Sequence, residues 1–523
     1  MGAIGDPRFT PRWNAMTTNR QRHLNQALMR IPRRAENTDR HTLATTYVSA
    51  GSFSAMLHST DHQVLYGRRG TGKTHALQYL SDVIDRAGDI AVYLDLRTIG
   101  SSGGPESDAA TRGTQLLVDT LEAVHDELLA LAVESEDRLL GSLDALAEAA
   151  TVVEVVGEVE RESKTAGSSE SKHGFDVSPT PSAKITAERR HTASAENRVR
   201  RTGVERHHVV FGPLSRALRD ISRSLGRRRL WLLLDEWSSV PMDLQPLLAD
   251  LLRRSVLPVT GITVKIAAIE RRSRFSVPGP DGDYVGIELG ADAATAVSLD
   301  DFLVFNRART DAQEFFGQLF FNHSKELLVR MVSTSAPTDA AAFIEQTFQR
   351  NAFPELVRAA EGVPRDAINI AALAAQYAHS DLIDLEDVRR AARDWYLRDK
   401  QAAIDSNPTA RATLRKLVDE VVGKRRSRTF LLERSEDVDH PAVDVLYDAR
   451  LLHVLRRGIV DKHHPGTLYD GFAIDYGCYV TLLLDGELPS RPRHRGGWLN
   501  WAHSVPPDGF DFGAEAITLS PSD

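Results

Sequence analysis

Gly67-Arg68-Arg69-Gly70-Thr71-Gly72-Lys73-Thr74 fits the pattern G-x-x-x-x-G-K-[ST] without a gap. His62-Gln63-Val64-Leu65-Tyr66 precedes it and reads as a buried strand. His75 to Ala87 follows, with Leu77, Leu80, Val83 and Ile84 at helical spacing and Gly88 as a C-cap. Strand, glycine loop and helix are the context this motif requires. Glycine at 67, 70 and 72 lets the backbone curl until its N–H groups face a phosphate chain. The start of the following helix adds partial positive charge at the same spot. The stretch therefore predicts a P-loop. Lys73 is expected to reach the β and γ phosphates, and the Thr74 hydroxyl to ligate Mg²⁺. Gly67, Arg68, Arg69, Gly70, Thr71, Gly72 and His75 are expected to line the nucleotide with them.

The chain around it has 523 residues, enough for about three domains. Apolar residues make up 42% and charged residues 26%, which suits a soluble protein with a sizeable core. The net charge of −8 advertises no nucleic acid, so any DNA contact has to come from a local patch. A single cysteine, Cys478, excludes intrachain disulfides and multi-cysteine zinc sites, and fits a reducing cytoplasm. No apolar run approaches the ~18 residues of a membrane span, and the N-terminus has no apolar signal core. The expected location is cytoplasmic, with no membrane partner.

Upstream of the loop, residues 1–45 carry eight arginines and no lysine against three acidic residues. They read as a basic extension packed on the core; the alternative is an arm touching phosphate or a neighbouring subunit. Downstream, Ile90-Ala91-Val92-Tyr93-Leu94-Asp95-Leu96 reads as a strand buried on both faces, as in a parallel sheet. Helices are expected over about 111–133 and 137–150. Residues 151–208 show no periodicity and read as a low-complexity, partly disordered insertion with a basic second half. Leu214, Leu218, Ile221 and Leu225 mark the next helix. Leu230-Trp231-Leu232-Leu233-Leu234-Asp235-Glu236 is then an apolar strand ending in two carboxylates, the Walker B arrangement. Asp235 is placed to hold Mg²⁺ through water, and Glu236 to polarise the water that attacks the γ phosphate.

Val264 to Ile269 is a further strand, ending in Glu270-Arg271-Arg272-Ser273-Arg274. Arg271, Arg272 or Arg274 could act in trans as an arginine finger; the alternative is an exposed basic turn. Ala296-Val297-Ser298-Leu299 is a candidate fifth strand. Helices fill 311–361, and Gly362-Val363-Pro364-Arg365-Asp366 opens another, with Pro364 suited to a first helical turn. Arg365 is thereby held at a helix start, able to point into a nucleotide cleft. Beyond Pro408 come a helix, a short strand at Phe430-Leu431-Leu432, a helix from Pro441, and strand-like runs over 453–460 and 468–484. That is the winged-helix order, in which a helix enters the major groove of duplex DNA and the hairpin tracks the backbone. The same arrangement also serves as a protein–protein module. Residues 487–523 are rich in Pro, Gly and Ser and read as a loose tail.

P-loop, Walker B strand, Gly-Val-Pro-Arg and winged helix, in that order, resemble AAA+ ATPases of the origin-recognition (initiator) type. The resemblance covers roughly residues 46–485 without the insertion. It implies an α/β fold with a parallel five-stranded core over 46–300, a helical lid over 301–404, a winged helix over 405–485 and a tail from 486. It implies ATP and Mg²⁺ as ligands, with Lys73 and Thr74 as Walker A residues, Asp235 and Glu236 as Walker B residues, and Arg365 as the lid arginine called sensor 2. It also implies association with duplex DNA and with further ATPase subunits or copies of the chain. At the sensor 1 strand tip the family has Asn, Ser or Thr, whereas this chain has Glu270 followed by Arg271. The competing reading is a switch similar to the STAND class, which also joins a P-loop to a winged helix but acts through protein partners. No internal repeat supports that alternative.

Overall fold

The computed structural model describes residues 10–49, 53–99, 109–135, 137–149, 152–160, 200–208, 210–279, 283–292, 295–300, 309–332, 336–434, 440–460, 466–486 and 516–517. The strands in chain order are β1 (Gln63–Tyr66), β2 (Ile90–Asp95), β3 (Val152–Glu160), β4 (Arg200–His208), β5 (Leu230–Asp235), β6 (Ile262–Ala268), β7 (Ser276–Pro278), β8 (Tyr284–Gly286), β9 (Thr295–Ser298), β10 (Thr429–Arg434), β11 (Leu452–Val460), β12 (Leu468–Ile474) and β13 (Ala516–Ile517). Five of them form a parallel sheet in the order β2-β5-β6-β1-β9. β2 runs beside β5 from Ile90↔Leu230 to Asp95↔Asp235, and β1 beside β9 from Gln63↔Thr295 to Tyr66↔Ser298. The fold is α/β, and the fifth strand is β9, as expected from Ala296-Val297-Ser298-Leu299. The chain leaves β1 for the far edge of the sheet and later returns to its other side. The order therefore reverses beside β1, and the loop after β1 emerges where open parallel sheets bind ligands.

The chain divides into two compact units, Met1–Ala87 with Ile266–Ser273 and Thr295–Asp523, and Gly88–Lys265 with Arg274–Ala294. In the first unit the N-terminal helix Thr10–Met29 sends Leu24, Ala27 and Leu28 into a core shared with Phe316, Phe320 and Ile370. The second half of that helix is thus packed on the core. Asn25 lies inside that contact without penalty, because its amide donates to the carbonyls of His379 and Asp381 at 3.0 Å each. Helices Arg309–Val332, Ala340–Thr347, Ala352–Ala359, Pro364–Ala378 and Leu385–Trp395 complete this body. The last begins with a reciprocal cap in which Asp384 and Asp387 each accept from the other's backbone N–H.

The C-terminal elements are helix Pro408–Leu417, β10, helix Pro441–Asp448 and the antiparallel hairpin β11–β12. The run 468–484 is not one strand: β12 stops at Ile474. Asp475, fully buried, accepts from the Gly477 N–H at 2.9 Å and turns the chain into helix Val480–Leu484. Only glycine fits at 477, where a Cβ would lie 2.5 Å from the Tyr396 side chain. One piece of the tail is also ordered, since β13 pairs in parallel with β10 at Leu431 and Leu432. The rest of the tail lies outside the described residues.

In the second unit every residue of β5 is buried, as a strand covered on both faces requires. Helices Ala109–Ser135, Asp137–Ala149, Phe211–Ser224 and Gln245–Ser255 belong to this unit. The insertion read as unstructured has structured ends. β3 and β4 pair antiparallel from Val152↔His208 to Glu160↔Arg200. Five valines in β3 supply the β-branched content that favours a strand. The middle of the insertion lies outside the described residues, as do the side chains of His207, His208, His463 and His464.

Candidate nucleotide site

Gly70 and Gly72 have φ of +86° and +98°, and Gly72 is the N-cap of helix Lys73–Arg86. These left-handed residues turn successive N–H groups toward one point, the geometry of an anion nest. The first turn of the helix carries no acidic residue to oppose an anion. Lys73 is nearly buried, and its ammonium donates to the carbonyls of Gly67 at 2.7 Å and Arg68 at 3.1 Å. The Gly67 N–H donates to Ala268 O at 3.2 Å, which fixes the loop's entry to the end of β6. The Thr74 hydroxyl has no protein partner among the described residues.

Arg365 stands beside this loop. Glu361 and Gly362 take φ of +50° and +75°, and helix Pro364–Ala378 opens directly after them. The Arg365 N–H donates to Gly70 O at 3.2 Å. A Cβ on Gly70 would lie 2.7 Å from that of Arg365. Burial, reinforced by the charge of Arg450, pushes the Arg365 guanidinium below the usual arginine range. Its guanidinium makes no carboxylate ion pair among the described residues. A desolvated cation beside a ring of N–H donors is complementary to polyphosphate.

The other loop side chains take different directions. Arg69 is exposed. Arg68, expected at the nucleotide, is 2% exposed and turned into the protein. Its Nε donates to Asp300 at 2.9 Å and its N–H to the same carboxylate at 3.0 Å. His75 uses Nε2 to donate to Leu43 O at 2.6 Å, and burial pushes its pKa down. The imidazole is thus a neutral wall of an apolar cavity that opens beside Thr71 and Gly72. Tyr47, Val48, Phe315, Leu319 and Pro364 are among the other residues of the wall. Tyr47 stacks on Tyr79 at 4.0 Å, and His323 meets His75 edge-on at 6.0 Å. None of these wall residues other than His75 was expected from the motif.

The second unit holds the strand-end carboxylates. Asp235 is fully buried at the end of β5 and accepts from the Tyr93 hydroxyl at 2.7 Å and from the Glu236 N–H at 2.8 Å. Glu236 has φ +57°, a left-handed conformation uncommon for a non-glycine residue. Arg274 is exposed in the same unit. The other arginines of the turn after β6, Arg271 and Arg272, belong to the first unit and are engaged within the chain. Arg271 pairs with Asp444, Arg272 with Asp448, and Glu270 with Arg457.

Those pairings bear on the expected DNA-reading helix. Helix Pro441–Asp448 has two aspartates and no basic residue, and both aspartates face arginines of the same chain. Lys424 and Arg425 pair with Glu420, while Arg428 is buried against Glu361 and Tyr479. Arg456 on β11 is exposed. No described helix is long and apolar enough to cross a membrane.

Residues 32–82 match the ORC-CDC6-like family model. The family of that model is the one the motifs resemble. No curated protein sequence matches the chain. Among solved structures, the chain is similar to the ORC1 protein of Aeropyrum pernix in complex with DNA. The identity is 11%, the match covers 89% of this chain and 98% of that one, and the TM-score is 0.30.

Proposed function

We propose that the chain is an ATP-binding, ATP-hydrolysing AAA+ protein whose nucleotide state controls its C-terminal winged-helix domain, and that it works in association with DNA. The observation that carries the reading is the pairing of the P-loop with Arg365, joined by the hydrogen bond from Arg365 N–H to Gly70 O. The residues present suit Mg·ATP as substrate. The N–H nest, Lys73 and Arg365 are complementary to three phosphates, the free Thr74 hydroxyl to a hard cation, and the apolar cavity to a flat base.

In this proposal Lys73 leaves the carbonyls of Gly67 and Arg68 for the β and γ phosphates. The motifs assign Mg²⁺ to the Thr74 hydroxyl and, through water, to Asp235, where it would neutralise phosphate charge; Glu236 would accept a proton from the attacking water. Arg274, exposed and without a carboxylate partner among the described residues, suits action in trans on a second subunit. The boundaries at 45, 300, 404 and 485 are proposed as those of extension, core, lid and winged helix. With helix Pro441–Asp448 acidic and engaged, DNA contact is assigned to the hairpin, where Arg456 faces solvent.

ATP turnover by the full chain, with and without duplex DNA, tests the reading, with Lys73→Ala as the blank. Turnover that rises with DNA, loses that rise at high salt and vanishes in the variant supports it. Slow turnover indifferent to DNA, with ADP retained on the purified protein, favours the switch acting through protein partners.

A further inference from the structure

Arg68 begins a chain of buried charges that leaves the P-loop and returns to it. Its Nη1 donates to Nδ1 of His453 on β11. Arginine can only donate, so His453 is held as the neutral tautomer with its proton on Nε2. That Nε2–H donates to Asp475 at 2.9 Å. Asp475 accepts from the Lys400 ammonium at 2.5 Å, and Lys400 pairs with Asp366 at 2.9 Å. Asp366 faces Arg450 Nε at 3.6 Å, and Arg450 Nη1 donates to the carbonyl of Arg69 at 3.4 Å. Adjacent P-loop residues are thus joined through the winged hairpin and the lid, and Asp366 is the residue after Arg365.

The three cations Arg68, Lys400 and Arg450 are nearly buried and face the buried carboxylates of Asp300, Asp366 and Asp475. Such a network behaves as a unit, because removing one member leaves others charged and unpaired away from water. Lys73 joins it to the phosphate position, since its ammonium is bound to the Arg68 carbonyl.

We propose that Arg68 and His453 are a coupling pair, through which docking of the winged hairpin and binding of a polyphosphate to the P-loop stabilise one another. The proposal rests on the nucleotide-binding reading and gives it a physical connection. Arg68 is then a positioning residue, not a phosphate ligand. His453 tunes nucleotide affinity from an element that carries no P-loop residue. Linkage makes the effect reciprocal: nucleotide must tighten the hairpin by the factor the hairpin tightens nucleotide.

The test uses the full chain and a fluorescent ATP analogue. His453→Leu, which can neither accept from Arg68 nor donate to Asp475, is expected to weaken binding about tenfold. His453→Gln keeps an acceptor and a donor and is expected to restore most of that loss. In a double-mutant cycle, Arg68→Ala should add little once His453→Leu is present. A variant that fails to fold does not end the test, because hydrogen exchange on the wild type needs no substitution: nucleotide should slow exchange of the β11 and β12 amides. A folded His453→Leu with wild-type affinity overturns the coupling and leaves the nucleotide site standing. β11 and β12 exchange indifferent to nucleotide, in a protein that binds it, does the same. A wild type that binds no nucleotide overturns the site itself, and the coupling with it.

Discussion

The backbone N–H of Arg365 donates to the carbonyl of Gly70 across 3.2 Å, so the first turn of helix Pro364–Ala378 is bonded to the middle of the glycine loop. Any movement of that helix against the loop must stretch this bond. The two residues are 295 positions apart, yet their side-chain positions nearly coincide: a Cβ on Gly70 would sit 2.7 Å from that of Arg365.

Gly70→Ala should therefore cost more than Gly72→Ala. Both positions have positive φ, which costs an alanine ~1–2 kcal/mol. At Gly72 an added Cβ meets nothing within 4 Å, whereas at Gly70 it meets the Arg365 side chain and Val363. Unfolding free energies of the two variants from urea titration should differ by about 1–3 kcal/mol against Gly70→Ala, the usual cost of overpacking. Equal values would mean that the start of helix Pro364–Ala378 is not seated on the loop.

Glu236→Gln separates binding from hydrolysis. The amide keeps the size of the side chain and removes its basicity, so nucleotide affinity should hold while turnover falls about 10²–10⁴-fold. Tyr93→Phe is the subtler companion. It removes the 2.7 Å hydrogen bond to the buried Asp235 and should cost about 1 kcal/mol in stability while leaving the charge in place. Turnover in Glu236→Gln close to wild type would take the general-base role away from this residue.

The glycine loop and the apolar strand β5 could be read because their sequence patterns are local. A glycine pattern, an apolar run and a pair of carboxylates each occupy fewer than ten consecutive residues. The same holds for the helix that starts after Gly362-Val363, with Pro364 in its first turn. The roles of Arg68, Arg271 and Arg272 could not be read, because in sequence each looks like a solvent-facing cation. Their direction is decided by Asp300, Asp444 and Asp448, more than 170 positions away. His453 and Asp475 sit in ordinary strand and turn contexts and carry no motif. The cavity wall failed to show for a related reason: Tyr47, Phe315 and Leu319 come from separate elements that only the fold brings beside His75. β13 was hidden by size, since two residues set no period.

The buried pair of Arg428 and Glu361 should be among the most sensitive contacts outside the loop. Arg428 Nη2 donates to Glu361 at 3.0 Å, Nη1 to the Tyr479 hydroxyl at 3.3 Å, and both charged side chains are nearly excluded from water. Arg428→Met strands the Glu361 carboxylate and should cost roughly 3–5 kcal/mol in chemical denaturation. Adding Glu361→Gln removes the stranded charge and should recover a good part of that loss. A double variant no better than the single would show that packing of the arginine stem, and not its charge, holds the site.

His323 sets a pH limit on the fold near the cavity. Burial, with a smaller contribution from the neighbouring His75, pushes its pKa down to about 4, while burial moves His75 in the same direction. In the unfolded chain a histidine titrates near 6.5. Between those values the unfolded state takes up a proton that the folded state refuses, so stability rises with pH across this window. The contribution of His323 is fully present above about pH 6.5 and is lost as pH falls toward 4, with a full extent of roughly 3 kcal/mol. Urea midpoints at pH 4.5 and 7.5 provide the measurement. His323→Leu removes the titrating group and should reduce the drop between the two pH values by roughly 2 kcal/mol, whatever it does to stability at pH 7.5. An unchanged drop would place the acid sensitivity elsewhere and leave His323 protonated inside the fold without penalty. That is incompatible with an imidazole whose Nδ1 is buried and has no hydrogen-bond partner among the described residues.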